Sequence, residues 1–594
     1  MSNRVLLSLL AFVIAFFPGW SEPHAQVPTF RSKTDVVLVP VIVRNKSGPV
    51  EGLKAEQFSV TEDGKPQKIA SVELIRTATD LRRRDAPGEF SNELLTTGPA
   101  RLTIIGIDMI NTPFLDQTFA RQQLLKYLGS SVKTDEQTAI FGMYRDGSVR
   151  LLHDISTDSA MLASAIQAVT GRLTNSATDT KTTPTYSKME IERMLMSVNP
   201  NQEHGSGDPN LSRVAEEMQA LQSFKESTGG SAAADDLRRN MEATLSCMRQ
   251  IGAAFWGAPG RKAFIWITGS FPFDIDGSGE LLSPKAYFMG ITQENGAYYR
   301  QHSGALPPMP DASSMVNDAD LSPLRQQFRT LLQQFASGNI VLYPLDARGL
   351  MTVNFEAADA DSNPLLLKLD RDRVKSSQLT METVARMTGG KACYDKNEIV
   401  SCVRDASHDA VQYYLLSYYR DKKANKPGWR KLSVKVDAAD VEVRSRTGYF
   451  YGNDPGDKNA HNRAISLAMQ SSVPLSAVPF SARFLAATAE GAKRLVKYQV
   501  YIPPQTVDLA DQGDSNFQFE VIAVAGTAKD SHVDQVAQVV GGNLPPAAVA
   551  AIHQQGIAYK NALKLSPGEY SVRFMVRIVA TNLIGSVIAP LKVE

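Results

Sequence analysis

A chain of 594 residues is too long for a single hydrophobic core, so several domains are expected. With 43% hydrophobic and 21% charged residues, it has the composition of an ordinary soluble globular protein. A formal net charge of +1 argues against nucleic acid or an anionic membrane as the main partner.

Arg4 gives the N-terminus a positive start, Val5 to Phe17 is an uncharged apolar run, and Pro18-Gly19 breaks it. The run is shorter than the roughly 20 residues a spanning helix needs. Residues 1–25 therefore read as a signal peptide cleaved after Ala25, and the protein as exported: periplasmic, cell-surface or secreted. After signal removal no stretch is long and apolar enough to span a membrane.

Residues 34–78 read as β. Thr34 to Val43 is nearly continuous and β-branched, and Asp63-Gly64 between two alternating runs is a hairpin signal. Residues 80–99, with Arg82, Arg83 and Arg84 in a row and then Gly and Pro, read as a linker. From residue 100 to residue 410 strands alternate with helices. Leu102 to Ile107 is a buried-type strand ending at Asp108, and Thr112-Pro113 opens a helix with Thr112 as its cap. Thr138 to Tyr144 and Val149 to His153 form a hairpin over Asp146-Gly147. Residues 172–234, rich in Thr, Ser, Asn and Gly, read as a surface insertion. A helix face from Leu237 to Phe255, a strand from Ala263 to Thr268, a polar loop over 274–320 and a strand from Asn339 to Asp346 follow. Parallel strands require such crossovers, which points to a three-layer α/β domain over 100–410. Residues 411–452 turn β again. They and 34–78 each hold too few strands to stand alone, so the two segments are expected to pair as one sandwich interrupted by the α/β domain. Residues 462–594 read as a separate immunoglobulin-like β-sandwich.

There are three cysteines. Cys393 and Cys402 sit close together between a short strand and a helix, and in an oxidising compartment they are expected to form a disulfide. Cys247 lies on an apolar helix face and reads as a small buried hydrophobe. The spacing fits no zinc site. No glycine-rich phosphate loop follows any strand and no G-x-S-x-G elbow occurs, so neither a nucleotide enzyme nor a serine hydrolase is expected.

Ligands of open α/β sheets gather at the carboxyl ends of the strands. There the chain carries Asp108-Met109-Ile110-Asn111-Thr112-Pro113. With Glu62-Asp63-Gly64-Lys65-Pro66-Gln67, Pro259-Gly260-Arg261-Lys262, Tyr343-Pro344-Leu345-Asp346-Ala347-Arg348-Gly349-Leu350, Thr388-Gly389-Gly390 and Arg446-Thr447-Gly448-Tyr449-Phe450, this stretch resembles the von Willebrand factor A-related family of the acidobacterial type, over roughly residues 34–452. The resemblance implies a Rossmann-like A domain with a site for Mg²⁺ or Mn²⁺ built from hard oxygen ligands. Asp108 and Thr112 fit the first and last positions of the family's Asp-x-Ser-x-Ser motif. Ile110 stands where that motif has serine, and Gly269 where a later aspartate is usual. The site is therefore degenerate, with Asn111, Asp274 and Asp276 as the groups able to help. His153, Asp346 and Arg348 are expected at the same cleft.

Two functional classes follow. In the first, an exported binding or adhesion protein, not an enzyme, presents the A-like domain and its loops to a protein or polysaccharide. In the second, Asp108, His153 and Asp346 converge in a metal-dependent enzyme or envelope assembly factor. A structural spacer in an envelope assembly is a third option.

Overall fold

The computed structural model describes residues 36–77, 81–84, 86–96, 100–112, 114–131, 136–167, 237–273, 318–348, 364–396, 399–420, 428–451, 459–511 and 516–594. The expected signal peptide, the 172–234 insertion, Asp274 and Asp276 lie outside these residues. Among the described residues no helix is long and apolar enough to cross a membrane.

Five strands open the chain: β1 (Val36–Asn45), β2 (Gly48–Pro49), β3 (Phe58–Glu62), β4 (Lys65–Gln67) and β5 (Ile69–Arg76). Three short ones follow: β6 (Arg82–Arg83), β7 (Phe90–Ser91) and β8 (Leu94–Leu95). The middle of the chain gives β9 (Arg101–Asp108), α1 (Phe114–Ser131), β10 (Thr138–Met143), β11 (Val149–Ser156), α2 over 159–167, α3 over 237–255, β12 (Arg261–Thr268), α4 (Asp318–Ser337), β13 (Ile340–Asp346), α5 (Pro364–Thr388) and α6 (Val400–His408). Then come β14 (Gln412–Tyr419), β15 (Gly428–Val436), β16 (Glu442–Ser445), β17 (Gly448–Tyr451), α7 (Ala460–Gln470), β18 (Leu475–Ser476), β19 (Ser481–Glu490), β20 (Lys493–Ile502), α8 (Pro504–Ala510), β21 (Asn516–Gly526), β22 (Asp534–Asn543), α9 (Pro546–Gln555), β23 (Ile557–Leu565), β24 (Gly568–Ile578) and β25 (Ile584–Val593).

The fold class expected from the sequence, a Rossmann-like von Willebrand factor A domain inserted in a β-sandwich and followed by an immunoglobulin-like domain, is corrected by this topology. The described protein is mostly β-sheet, and antiparallel sheets dominate it. Among the described residues parallel pairing is limited to three ladders, β10–β9, β9–β12 and β12–β13, within one mixed sheet of order β11-β10-β9-β12-β13, and to a single bridge between Leu345 and Cys393. Two physical reasons account for the difference. Stretches not read as strands are strands: 481–490 and 534–543 pair antiparallel with their neighbours β20 and β21, β6 pairs with β8 inside the expected linker, and β7 pairs with β19 across the sequence. The core is also shared, so the mixed sheet does not close off a domain of its own.

That sharing is visible in the alternation of side chains. Ile105, Ile107, Ile265 and Ile267 face one side, where α1, α2 and α6 supply Leu124, Ile166 and Val403. Ile104, Phe264 and Trp266 face the other, against Met248 and Phe255 of α3 and Phe328 and Phe335 of α4. The same cluster continues into Ala468 of α7 and into Ile522, Val524, Met575 and Ile584 of the C-terminal sheet β18-β25-β24-β21-β22. Residues 462–594 are thus not an independent module. Nor is 80–99 a free linker: β7 pairs with β19, and buried Asn92 donates to Val478 O at 2.9 Å while accepting from Phe480 N at 2.8 Å.

At the other end of the molecule β1 lies between β14 and β16, β5 adds to β14, and β3 lies between β15 and β4. Val39, Val41, Val60, Leu416 and Tyr418 fill the space between these two sheets. Gly260, at φ 81°, immediately precedes β12, where a Cβ would collide with the Ala100 carbonyl oxygen.

Candidate functional site

The carboxyl ends of β9, β12 and β13 lie side by side. Thr268 is level with Asp346 in the ladder, and Asp108 follows Ile107, the last residue of β9 paired with β12. Asp108 is fully buried. Its Oδ1 accepts from Ile110 N at 2.8 Å and Asn111 N at 3.0 Å. Its Oδ2 accepts from Asn111 Nδ2 at 2.9 Å, Thr268 Oγ1 at 2.9 Å and Trp266 Nε1 at 3.1 Å. Four N–H groups therefore occupy both oxygens, and the single Thr268 hydroxyl hydrogen is shared between Asp108 Oδ2 and Ser270 O, 2.7 Å away. Burial pushes the Asp108 pKa above the usual carboxylate value, and the bonds from Asn111, Ile110 and Thr268 offset only part of that.

The rest of the motif is equally engaged. Thr112 Oγ1 accepts from Gly269 N at 2.9 Å, and its expected role as a helix cap rests on Pro113, which lies outside the described residues. Ser270 Oγ donates to Asn111 O at 3.0 Å, and Asn111 Nδ2 also donates to Thr244 Oγ1 on α3 at 2.9 Å. The two loops are stitched to each other and to a helix. Asp108 and Thr112 are brought near one another, but their oxygens are consumed by the protein itself. Octahedral coordination by hard oxygens would require several of these bonds to break. Among the described residues no group of three or more His, Cys, Asp or Glu side chains is placed to hold a metal ion.

Asp346 ends β13 on the same row. Its carboxylate accepts from Arg348 N at 3.0 Å, Arg348 Nε at 2.8 Å and Arg348 Nη2 at 2.6 Å, a closed bidentate pair. Burial lowers the Arg348 pKa, but the bond and charge of Asp346, with Asp116 and Asp395 nearby, outweigh it and hold the guanidinium above its ordinary value. Beside β13, Cys393 N donates to Pro344 O at 2.9 Å and Asp346 N donates to Cys393 O at 2.8 Å. Cys393 is joined by a disulfide to Cys402 on α6, so this short extension of the sheet is tied covalently to a helix. Cys247 is fully buried, its Sγ donates to Ser148 O at 3.3 Å, and burial raises its thiol pKa far out of the reactive range.

His153 is not at this end. It was placed there because it closes an apparent third strand, but β11 runs antiparallel to β10 and pairs His153 with Ile140. Ile140 is level with Ile105, three positions back from Asp108. His153 Nδ1 lies 2.7 Å from Asp154 O, and Asp154 is paired with Arg83 at 2.7 Å.

A second polar centre was not foreseen. Buried Asp409, between α6 and β14, accepts from Arg44 Nη1 at 2.9 Å, Arg444 Nη2 at 2.9 Å, Arg444 Nη1, and Tyr343 OH at 3.1 Å. Burial pushes its pKa up, but Arg444, Arg261 and Arg44 overcome this and hold it below the usual carboxylate range. These residues come from β1, β12, β13 and β16, so the cluster joins the N-terminal sheets to the mixed sheet. No local motif announces a contact between residues 365 positions apart. Trp266 and Thr268 were legible in principle, because alternate residues of one strand share a face.

No family model matches the chain, and no curated protein does. Among solved structures it is similar to three N-terminal domains of the type V pili tip protein Mfa5 from Porphyromonas gingivalis, at 9% identity, over 86% of this chain and 94% of that one, with a TM-score of 0.22. A likeness of that size decides nothing about fold or function.

Proposed function

We propose that this is an exported, non-catalytic binding protein of the adhesion type, which offers loops at the carboxyl end of its mixed sheet to a protein or polysaccharide partner. The observation that carries the reading is the engagement of both Asp108 oxygens by four internal N–H donors, with the Thr268 hydroxyl beside them. A carboxylate so engaged serves to hold loops in register, and it has no lone pair left for a substrate or a metal. The closed Asp346–Arg348 pair and the displacement of His153 support the same reading and remove two of the three groups an enzyme in this cleft would have used.

Thermal melts in millimolar Mg²⁺, in Mn²⁺ and in EDTA test the claim that Asp108 is closed to a metal. Equal melting temperatures are expected, because only a ligand that binds the native state raises them. A metal-dependent rise that disappears in Asp108→Ala would overturn it. Glycan arrays and capture of purified envelope proteins, each with the whole chain and with residues 172–234 deleted, test the binding half. Saturable retention weakened by the deletion is expected; uniform background on both would count against it.

A further inference from the structure

Three sequence motifs that play no part around Asp108 meet at the opposite end of the mixed sheet. Arg261 of Pro259-Gly260-Arg261-Lys262 opens β12, level with Arg101 at the start of β9. Its Nη2 donates to Gly389 O of Thr388-Gly389-Gly390 at 2.9 Å and to Tyr343 OH at 3.4 Å. A Cβ on Gly389 would come within 2.9 Å of Arg446 N, and Thr447 N donates to Met387 O at 3.4 Å. The motif beginning at Arg446 is therefore packed onto the same turn. Arg446 itself reaches from the N-terminal sheets to α4: Nη2 donates to Leu38 O on β1 at 2.6 Å, and Nη1 to Ala336 O at 2.8 Å. At this meeting point lies a cavity of about 10 Å³, bordered by Arg261, Arg446, Asn339 and Thr388, among others.

The cavity is bordered by donors and by charge that the protein does not answer. Arg261 Nε and Arg446 Nε are both buried and bond to nothing among the described residues. A buried donor left in this way is costly, and more so on a charged group. Thr388 is already engaged: its Oγ1 accepts from Leu342 N at 2.9 Å and donates to Ala385 O at 3.1 Å. The nearby carboxylates are committed elsewhere. Asp409 pairs with Arg44 and Arg444, and Glu442 pairs with Arg444. Arg261 acts on Asp409 through charge without a bond to it. Arg446 has no carboxylate within ion-pair distance among the described residues. Burial pushes its pKa down to about 10, and Tyr418 and Tyr449 offset only part of that.

We propose that this cavity is a binding site for one halide ion, chloride in ordinary buffers, held between Arg261 and Arg446 by their Nε–H groups. An acceptor that carries negative charge and no hydrogen satisfies both donors and supplies the missing counter-charge at once. A water molecule would satisfy the donors and leave the charge unanswered. A space that holds about one water-sized sphere excludes a carboxylate, sulfate or phosphate by size. The ion ties β1, through Arg446, to the start of β12, so it fastens the N-terminal sheets to the mixed sheet. The site lies at the amino end of β12, whereas Asp108 and Thr268 lie at the carboxyl end of the ladder, so this inference and the proposed binding function can fail separately.

The test is urea denaturation of the whole chain at neutral pH in sodium chloride and in sodium gluconate, at constant ionic strength. Gluconate is too large to enter the cavity. Chloride should stabilise with a single-site dependence: above half-saturation, each tenfold rise should lower the unfolding equilibrium constant about tenfold. Sodium bromide should act in the same way. Arg446→Gln should lose the response, whereas Arg76→Gln, at an exposed surface pair, should keep it. Crystals of the wild-type protein soaked in bromide and measured at the bromine absorption edge give a readout that needs no variant to fold. An anomalous peak between Arg261 and Arg446 is expected. Coincident denaturation curves in chloride and gluconate overturn the proposal, and so does an equal chloride response in Arg446→Gln, since the ion would then act elsewhere. A bromide map without a peak in the cavity also overturns it, and assigns the space to water.

Discussion

Two buried aspartates sit in one protein and are held in opposite ways. Asp108 is surrounded by neutral donors, and burial raises its pKa. Asp409 is surrounded by arginines, and they lower its pKa despite similar burial. The lesson is that burial and hydrogen-bond count do not set a carboxylate's role; the charge of its partners does. Asp108 fastens two loops and tolerates neutrality, whereas Asp409 is the common counter-ion of Arg44 and Arg444 and cannot be given up.

The sharpest way to break this contrast is to delete the Asp409 carboxylate. Asp409→Ala leaves two poorly exposed guanidiniums without their shared partner, and a loss of roughly 3–5 kcal/mol in chemical denaturation is expected. Its contribution has a pH signature too. The stability it provides is present above the unfolded carboxylate pKa and is lost as pH falls through the lower folded value. A denaturation series toward acid should therefore show a slope that Asp409→Ala lacks.

Lys262 extends the comparison to an ion that pairs with no carboxylate among the described residues. It is buried, donates to Ala258 O, and burial alone pushes its pKa down to about 7. The unfolded chain keeps its ordinary lysine value near ~10.4, so it binds the proton more tightly than the folded one. Stability should rise with pH between about 7 and ~10, by as much as ~1.4 kcal/mol per pH unit. Lys262→Met should flatten that slope and stabilise the protein at pH 7 by roughly 2–4 kcal/mol. An unchanged slope would mean that the amine reaches water.

Next in size is the covalent tie beside Asp346. Cys402→Ser opens a loop closed over a sequence separation of 9 and should cost about 2–3 kcal/mol. Denaturation with and without reductant checks it, because wild type in reductant should match the variant.

The smallest effect is expected at the motif that first drew attention. Asp108→Asn keeps one acceptor but turns an N–H₂ toward donors already present, for a loss of about 1–2 kcal/mol. Because the folded pKa is raised, wild-type stability should fall as pH climbs from the unfolded carboxylate value toward the folded one, opposite in sign to Asp409. A cost as large as that of Asp409→Ala would erase the distinction drawn between the two.

Much of the local structure was legible. The strands at 101–108, 138–143, 261–268 and 340–346 follow from continuous apolar runs bounded by turn residues, and the α3 face from its three-and-four spacing. The site was legible as a set of residues near Asp108, because strand ends lie together in a parallel ladder. His153 was misplaced because hairpin direction, although noticed, was not carried through to the end of the sheet it implies. β19 and β22 were missed because Ala, Thr, Gln and Gly dilute their pattern. The 82–95 strands were missed because two-residue pairings leave no periodicity to see.

The sequence by itself determined the strands and helices whose apolar pattern is strong, such as 101–108, 261–268 and 340–346, and which cysteines stand close enough to bond. It also placed an aspartate, a threonine and an Asp–Arg pair at strand ends. Only the tertiary structure decided that the protein is mostly antiparallel β, that the C-terminal sheet shares its core with the mixed sheet, and that Asp108 is spent on internal donors. The physical reason is the range of the interactions. Local pattern is set by neighbours three or four positions away. Sheet order, shared cores and the burial and counter-charges of a carboxylate also depend on groups far along the chain, such as Arg44 for Asp409 and Trp266 for Asp108, whose arrival the chain does not announce.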